Sequence, residues 1–184
     1  MILTTPILIR VALLILVTAL AQVASFSGMV IFGTSPDIAV LVVISLGLLG
    51  GSVTGAVSGF ATGLLIDSLL MQTLGGFALA MLAVGYVAGR YRENVGRPTR
   101  GAIPLLGGAL TLLSVVAFAA IQVGTGVDAD VSTIVIRDAV LKTMIGAALA
   151  IPVYLAVRLL VRPALVDDRS SARRPMAPRA AENP

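Results

Sequence analysis

The chain consists of apolar stretches of roughly 20 residues separated by short breaks, and a stretch of that length can cross a lipid bilayer as a helix. Only 12% of its 184 residues are charged and 58% are hydrophobic, whereas a soluble domain carries about 25% charged residues. A chain of this composition cannot keep so much apolar surface out of water by folding on itself. The sequence therefore predicts an all-α, polytopic membrane protein with one integral domain.

Six transmembrane spans are predicted from these apolar stretches. The stretch that begins at Pro36 is too long for one span, and Gly50-Gly51 is its natural break. The break leaves a second span of about 14 residues, a length that also suits a re-entrant or interfacial segment. The first stretch has features of a signal peptide, but an uncleaved span is preferred because the residues before Arg10 are themselves apolar. The predicted spans are residues 11–31, 37–50, 52–70, 73–89, 102–123 and 134–161.

The placement of arginine predicts which side of the membrane each loop occupies. Basic residues collect in the loop 90–100 and in the tail, whereas the loop with Asp128 and Asp130 has none. Cytoplasmic loops carry the excess of positive charge, so both chain ends are expected in the cytoplasm. Residues 1–161 form the helical bundle, and residues 162–184 form a disordered basic tail close to anionic lipids. The residues assigned to topology and headgroup contact are Arg90, Arg92, Arg97, Arg100 and Arg162.

The composition also excludes several classes of function. Cysteine and histidine are both absent, which removes thiol nucleophiles, disulfides, and the commonest general base and metal ligand. We therefore expect no catalytic residues, no metal and no cofactor. The pI near 10.3 does not indicate nucleic-acid binding, because almost no aromatic residue is interleaved with the arginines.

Glycine recurs at every fourth position from residue 47 to residue 63, in GLLGGSVTGAVSGFATGLLID. Each interior glycine costs a water-soluble helix about 0.5–1 kcal/mol relative to alanine. In a bilayer, however, helices associate through close packing, and small residues let their backbones approach. The third span is therefore predicted to be the buried centre of the bundle, with its bulky opposite face toward lipid. The predicted packing residues are Gly51, Gly55, Gly59, Gly63, Thr54, Ser58 and Thr62.

The alternative interpretation of the glycine row is a groove for a small ligand, since glycine also permits close approach of the backbone. A phosphate-binding loop is excluded because no GxxxxGK[ST] motif occurs. An intramembrane serine protease using Ser58 would lack a histidine base.

Charged residues within or beside the spans suggest a second contact between helices. A charge at the centre of a span costs roughly 2.5–3.5 kcal/mol on insertion scales, so such residues usually pair or face a cavity. The predicted topology places Asp67, at the end of the third span, at the same face as the start of the sixth. We predict an ion-pair cluster in which Asp138 pairs with Lys142, and Arg137 or Lys142 meets Asp67. In the alternative, the start of the sixth span lies in water and the three residues there are solvated.

The order of these motifs resembles the MreD family of rod shape-determining proteins, which are bacterial inner-membrane proteins. The resemblance covers about residues 36–90. It is carried by Pro36-Asp37, the glycine run, the sequence GLLID at residues 63–67, Leu74-Gly75, and Val84-Gly85-Tyr86 before the basic loop. It implies a six-helix fold similar to the substrate-binding components of energy-coupling-factor vitamin transporters.

The resemblance also implies a function and a set of partners. A family member would be a non-enzymatic scaffold of the cell-elongation (Rod) complex, which organises peptidoglycan synthesis and maintains cell shape. The expected partners are MreC, MreB, RodA and a class B transpeptidase. Two alternatives stay open: the substrate-binding component of an energy-coupling-factor vitamin transporter, and a small ion or proton transporter that uses Asp67 and Lys142.

Overall fold

The computed structural model of the protein describes residues 5–28, 37–71, 75–96, 98–99, 101–124 and 133–171. These ranges contain six α-helices and no strand, and each helix overlaps one of the six predicted stretches. The helix boundaries differ most for the first, fourth and sixth spans. The helices are α1 Thr5–Gly28, α2 Ile38–Gly50, α3 Ser52–Leu69, α4 Gly76–Val95, α5 Ala102–Gly124 and α6 Thr133–Ser171.

Three of these helices contain a stretch long and apolar enough to cross a membrane. The stretches are Ser52–Leu69, Ala102–Gly124 and Arg137–Val161. Shorter apolar stretches, Ile9–Ala24 and Ile38–Gly50, lie in α1 and α2. α4 continues past its apolar part into Arg90–Val95, because the arginine and glutamate residues there are good helix formers.

The helices are arranged as a ring of five around α2. Each ring helix contacts its two neighbours, in the order α3, α4, α5, α6, α1 and back to α3, and every one of them also contacts α2. Every residue of α2 from Ala39 to Leu48 is buried. The sequence of this helix, IAVLVVISLGLLG, has no polar face, and a helix that is apolar all round is expected to be buried.

The prediction that the third span is the buried centre is therefore wrong. α3 is a ring helix: its glycine face points inward, and Val53, Val57, Phe60, Leu64 and Leu65 are exposed on the other side. α2 occupies the centre because it is apolar on every side. It is also short, since 13 residues rise about 20 Å at 1.5 Å per residue, less than a hydrocarbon core of about 30 Å.

α2 and α3 form an antiparallel hairpin joined by one residue, Gly51. Its φ of 94° lies in the left-handed region that favours glycine. Its amide donates to the carbonyl of Gly47 at 2.8 Å, and its carbonyl accepts from the amide of Gly55 at 2.9 Å. The break predicted at Gly50-Gly51 is confirmed.

α6 runs to Ser171, ten residues beyond the predicted end of the sixth span at residue 161. The first part of the predicted tail is thus helical in the structure, whereas residues 172–184 lie outside the described residues.

Candidate functional site

The most tightly packed contact in the bundle is the one between α3 and α4. A Cβ added at Gly55 would overlap the carbonyl of Gly85, one at Gly59 would overlap the carbonyl of Met81, and one at Gly63 would overlap the backbone of Ala78. Such close approach of two backbones is what small residues permit. The glycine row of α3 therefore lies directly against α4 along most of its length.

The glycine row does not stay on one helix, because the chain reverses at Gly51. Gly47 lies on α2, and a Cβ there would be 2.8 Å from the carbonyl oxygen of Gly85. A Cβ added at Gly85 would in turn overlap the carbonyl of Gly55. A second glycine of α4, Gly89, lies against the backbone of Gly51 and Ser52. Glycines from three successive helices thus meet at one place in the bundle.

The small polar residues beside the glycine row make hydrogen bonds within their own helix. The Ser58 hydroxyl donates to the carbonyl of Gly55 at 3.1 Å, and the Thr62 hydroxyl donates to that of Ser58 at 2.7 Å. Both side chains are buried, whereas Thr54 is partly exposed. The hydroxyl groups of Ser58 and Thr62 therefore already have hydrogen-bond partners within α3.

Asp67 caps the start of α4. Its side chain is 1% exposed, and its Oδ2 accepts from the amides of Gly75 at 2.9 Å and Ala78 at 3.3 Å. The first amides of a helix have no partner within it, and the positive end of the helix dipole favours a carboxylate. The carboxylate that ends the glycine row thus joins α3 to the beginning of the helix it packs against.

Side chains from the last turn of α4 cap the end of α2 and the start of α3, which meet at Gly51. The Arg92 guanidinium donates to the carbonyl of Leu49 near the end of α2. Glu93 Oε1 accepts from the Ser52 amide at 2.8 Å and the Ser52 hydroxyl at 2.7 Å. Because the Ser52 hydroxyl and amide bind its charged form, the pKa of Glu93 lies below its ordinary value. Each charge faces the helix end of opposite polarity.

A cluster of ionic and polar side chains joins α1, α2 and α6 near the start of α2. Lys142 Nζ lies 3.2 Å from Asp138 Oδ2, the contact that their spacing on α6 allows, and 3.8 Å from Asp37 Oδ2. The Gln22 amide donates to Asp37 Oδ1 at 3.1 Å, and its carbonyl oxygen accepts from the Ala39 amide at 3.2 Å.

The structure corrects the predicted pairing of Asp67 with Lys142 or Arg137. Lys142 binds Asp37, and Asp67 binds backbone amides of α4. The physical reason is the ring: α2 separates α3 from α6, and these two helices make no contact within the described residues. Arg137 is exposed.

The residues predicted for topology are only partly described. Arg90 is half-exposed and lies 3.6 Å from Glu93, whereas Arg92 caps α2. Arg97 and Arg100 lie outside the described residues, as does the side chain of Arg162.

The sequence did not predict the contacts between helices made by Gln22, Asp37, Ser52 and Glu93, or by Gly85 and Gly89 on α4. Gln22 stands out as a polar residue in an apolar span, and Glu93 is the only acidic residue in the basic loop. Within the described ranges no three acidic residues come together as a metal site would require. The side chains of Gln22, Asp67, Arg92, Glu93 and Lys142 bind groups on neighbouring helices.

These features define an all-helical membrane protein in which close contacts between small residues and capped helix ends hold the bundle together. The chain belongs to the MreD family: the family model described as rod shape-determining protein MreD matches residues 1–164. The resemblance seen over residues 36–90 is thus confirmed across most of the chain, and the family is one of rod shape-determining structural proteins. No curated protein and no solved structure matches the chain.

Proposed function

We propose that this protein is a non-enzymatic scaffold of the bacterial cell-elongation complex. It would lie in the inner membrane, cross it six times and keep both chain ends in the cytoplasm. Its partners would be a periplasmic MreC-type protein and, in the same complex, MreB, RodA and a class B transpeptidase. The observation that carries the proposal is the family match over residues 1–164.

The distribution of charge along the bundle supports this orientation. Arg90 and Arg92 lie at the end of the bundle that holds the α2–α3 turn, and Arg10 lies in the first part of α1. Asp37, Asp67 and Asp138 lie toward the opposite end, which also holds Arg137 and Lys142. An excess of arginine marks the cytoplasmic side, so the α2–α3 turn would face the cytoplasm and the Asp37 end would face the periplasm.

The contacts of the buried polar groups support a scaffold over an ion or proton transporter. Asp67 and Lys142, the two residues that a transporter would use, are each bound to neighbouring helix groups. A closely packed bundle of this kind suits a protein that holds partners in place.

Depletion in the native host tests this proposal. Loss of the protein is expected to round the cells, and the normal protein to restore the rod shape and to co-purify with an MreC-type partner. Gly59→Leu is expected to fail in both assays, because a side chain there would overlap α4. Val57→Leu, on the exposed face of the same helix, is the matched control and is expected to restore both.

Two results would contradict the scaffold and identify the alternatives. A small ligand and a cytoplasmic ATPase module that co-purify with the protein would indicate an uptake component. Charge movement by the purified protein alone in liposomes would indicate a transporter.

A further inference from the structure

The first part of α6 whose side chains are described lies at the edge of the bundle. We define residues 137–145 as the α6 arm. No side chain in the arm is buried, and Val140 and Met144 are more than half exposed. The buried residues among the described side chains of α6 all follow the arm. They are Gly146, Ala150, Tyr154 and Val157.

Packing of the arm against the bundle is correspondingly loose. On the α5 side, a Cβ added at Gly108 would meet Thr143 at 3.5 Å or more, which is ordinary van der Waals contact. One turn further, a Cβ at Gly146 would lie 2.6 Å from Thr111 Oγ1. The tight packing of α6 thus begins at Gly146. Toward the central helix, the arm is held by the ion pair between Lys142 and Asp37.

When this ion pair opens, Lys142 still has a carboxylate as its partner. Lys142 lies closer to Asp138, which is on its own helix and moves with it. Asp37 keeps its hydrogen bond from Gln22 on α1. Breaking a buried ion pair is costly mainly when it leaves an uncompensated charge. Lys142 stays paired, whereas Asp37 keeps only a hydrogen bond from a neutral amide, so the closed arrangement is favoured.

The type of basic residue at position 142 suits movement of its charge between Asp37 and Asp138. Lys142 is the single lysine of the sequence, and all other basic residues are arginine. A lysine carries a compact charge on a flexible stem, whereas the planar fork of arginine binds carboxylates in a fixed geometry. A lysine can therefore move between two carboxylates more freely than an arginine.

We propose that the α6 arm is a movable element, latched to the central helix by the Lys142–Asp37 ion pair. In the latched state Lys142 binds Asp37 and Asp138 together. In the open state it binds Asp138 alone, and the arm turns about Gly146 away from α1 and α2. Opening uncovers the start of α2 between α1 and α6, and the rest of the ring stays packed.

Distance measurements between spin labels on the full chain in lipid nanodiscs test the latch. The sequence has no cysteine, so one pair of spin labels can be attached at Ala24→Cys on α1 and Val140→Cys on the arm. A second pair, Leu13→Cys and Leu155→Cys, reports on the packed part of the same two helices. All four positions are exposed.

Two isosteric variants give opposite expectations. Asp37→Asn removes the partner on α2, so the distance from Ala24 to Val140 is expected to lengthen and its distribution to broaden. Asp138→Asn removes the competing partner, so the same distribution is expected to stay the same or narrow. The distance from Leu13 to Leu155 is expected to stay unchanged in both. Equal broadening of the arm distance by the two variants, or no change in either, would overturn the latch.

A third variant keeps the test independent of any loss of folding in Asp37→Asn. Lys142→Arg preserves the charge, but its planar guanidinium group can bind the carboxylates of Asp37 and Asp138 in a fixed geometry. It is expected to hold the arm against α2 and narrow the distribution, and a broader distribution would contradict the latch.

Discussion

Gly55 on α3 and Gly85 on α4 lie so close together that neither has room for a side chain. A Cβ on either residue would overlap the carbonyl of the other. The contact is therefore reciprocal, and it fixes the two helices at a separation that only glycine at both positions permits. Because Gly47 of α2 meets the same carbonyl group of Gly85, the contact also holds α4 to the central helix.

Substitution of Gly85 by alanine is expected to destabilise the bundle. Alanine favours helix over glycine by about 1 kcal/mol, but overpacking a close contact costs about 1–3 kcal/mol, and here the new methyl group would meet rigid backbone. The net effect is expected to be a loss, measured as a lower midpoint of thermal unfolding in detergent.

Gly76→Ala is the matched control on the same helix. A Cβ there would lie 3.8 Å from Ile121 and 3.9 Å from Phe118, which is ordinary contact. The midpoint is expected to stay the same or rise. A Gly85→Ala protein as stable as Gly76→Ala would show that the close contact is not needed.

Asp67→Ala is expected to cost more than Asp67→Asn. Alanine leaves the amides of Gly75 and Ala78 without their partner in a buried place, and each unsatisfied buried group costs about 1–3 kcal/mol. Asparagine keeps one acceptor oxygen and loses only the charge. Ser68→Ala, at an exposed position next to Asp67, is the control. Equal midpoints of unfolding for the two Asp67 variants would contradict the cap.

Arg92 and Arg90, near the end of α4, are expected to contribute differently to the free energy of unfolding. Arg92→Met removes a charged donor to the last turn of α2, a kind of hydrogen bond that contributes about 1.5–3 kcal/mol. Arg90→Met removes a surface ion pair with Glu93, a kind that contributes about 0–1 kcal/mol. Chemical unfolding should show a clearly larger loss for Arg92→Met, and the reverse order would rule out its role as a cap.

The contact between Glu93 and Ser52 is expected to weaken in acid. The folded pKa of Glu93 lies below its ordinary value of 4.5, so the folded state binds the proton less tightly than the unfolded state does. The stability from this contact is therefore full above the ordinary pKa and is lost as the pH falls through the folded value.

Unfolding of the normal protein and of Glu93→Gln, compared from about pH 6 to about pH 3, spans the titration of a glutamate. The other carboxylates titrate in both proteins, so the difference in stability isolates Glu93. That difference is expected to shrink as the pH falls. A constant difference would mean that the charge of Glu93 does not contribute.

The order and approximate bounds of the helices could be predicted because they depend on local sequence. Apolar stretches separated by arginine, proline or glycine define the helices in any arrangement of the bundle. The α2–α3 break also follows from local sequence, since few residues other than glycine adopt the backbone of Gly51. The family resemblance likewise rests on the order of motifs along the chain.

The partners of each residue could not be predicted in the same way. The sequence located the glycine row, but it did not show that the chain reverses at Gly51. Nor did it show that Gly47 on α2 and Gly55 on α3 both face Gly85. It located Asp67 and Lys142, but placed them together because it could not show that α2 lies between their helices.

The sequence by itself determined that this protein is a helical membrane protein of the MreD family, the order and approximate bounds of its helices, and which face of α3 is small. Only the tertiary structure decided that α2 is the centre and that Asp67, Arg92 and Glu93 cap the ends of other helices. The physical reason is that apolar length and helix propensity act along the chain. Which helices lie next to each other, by contrast, depends on how the other five pack together around α2.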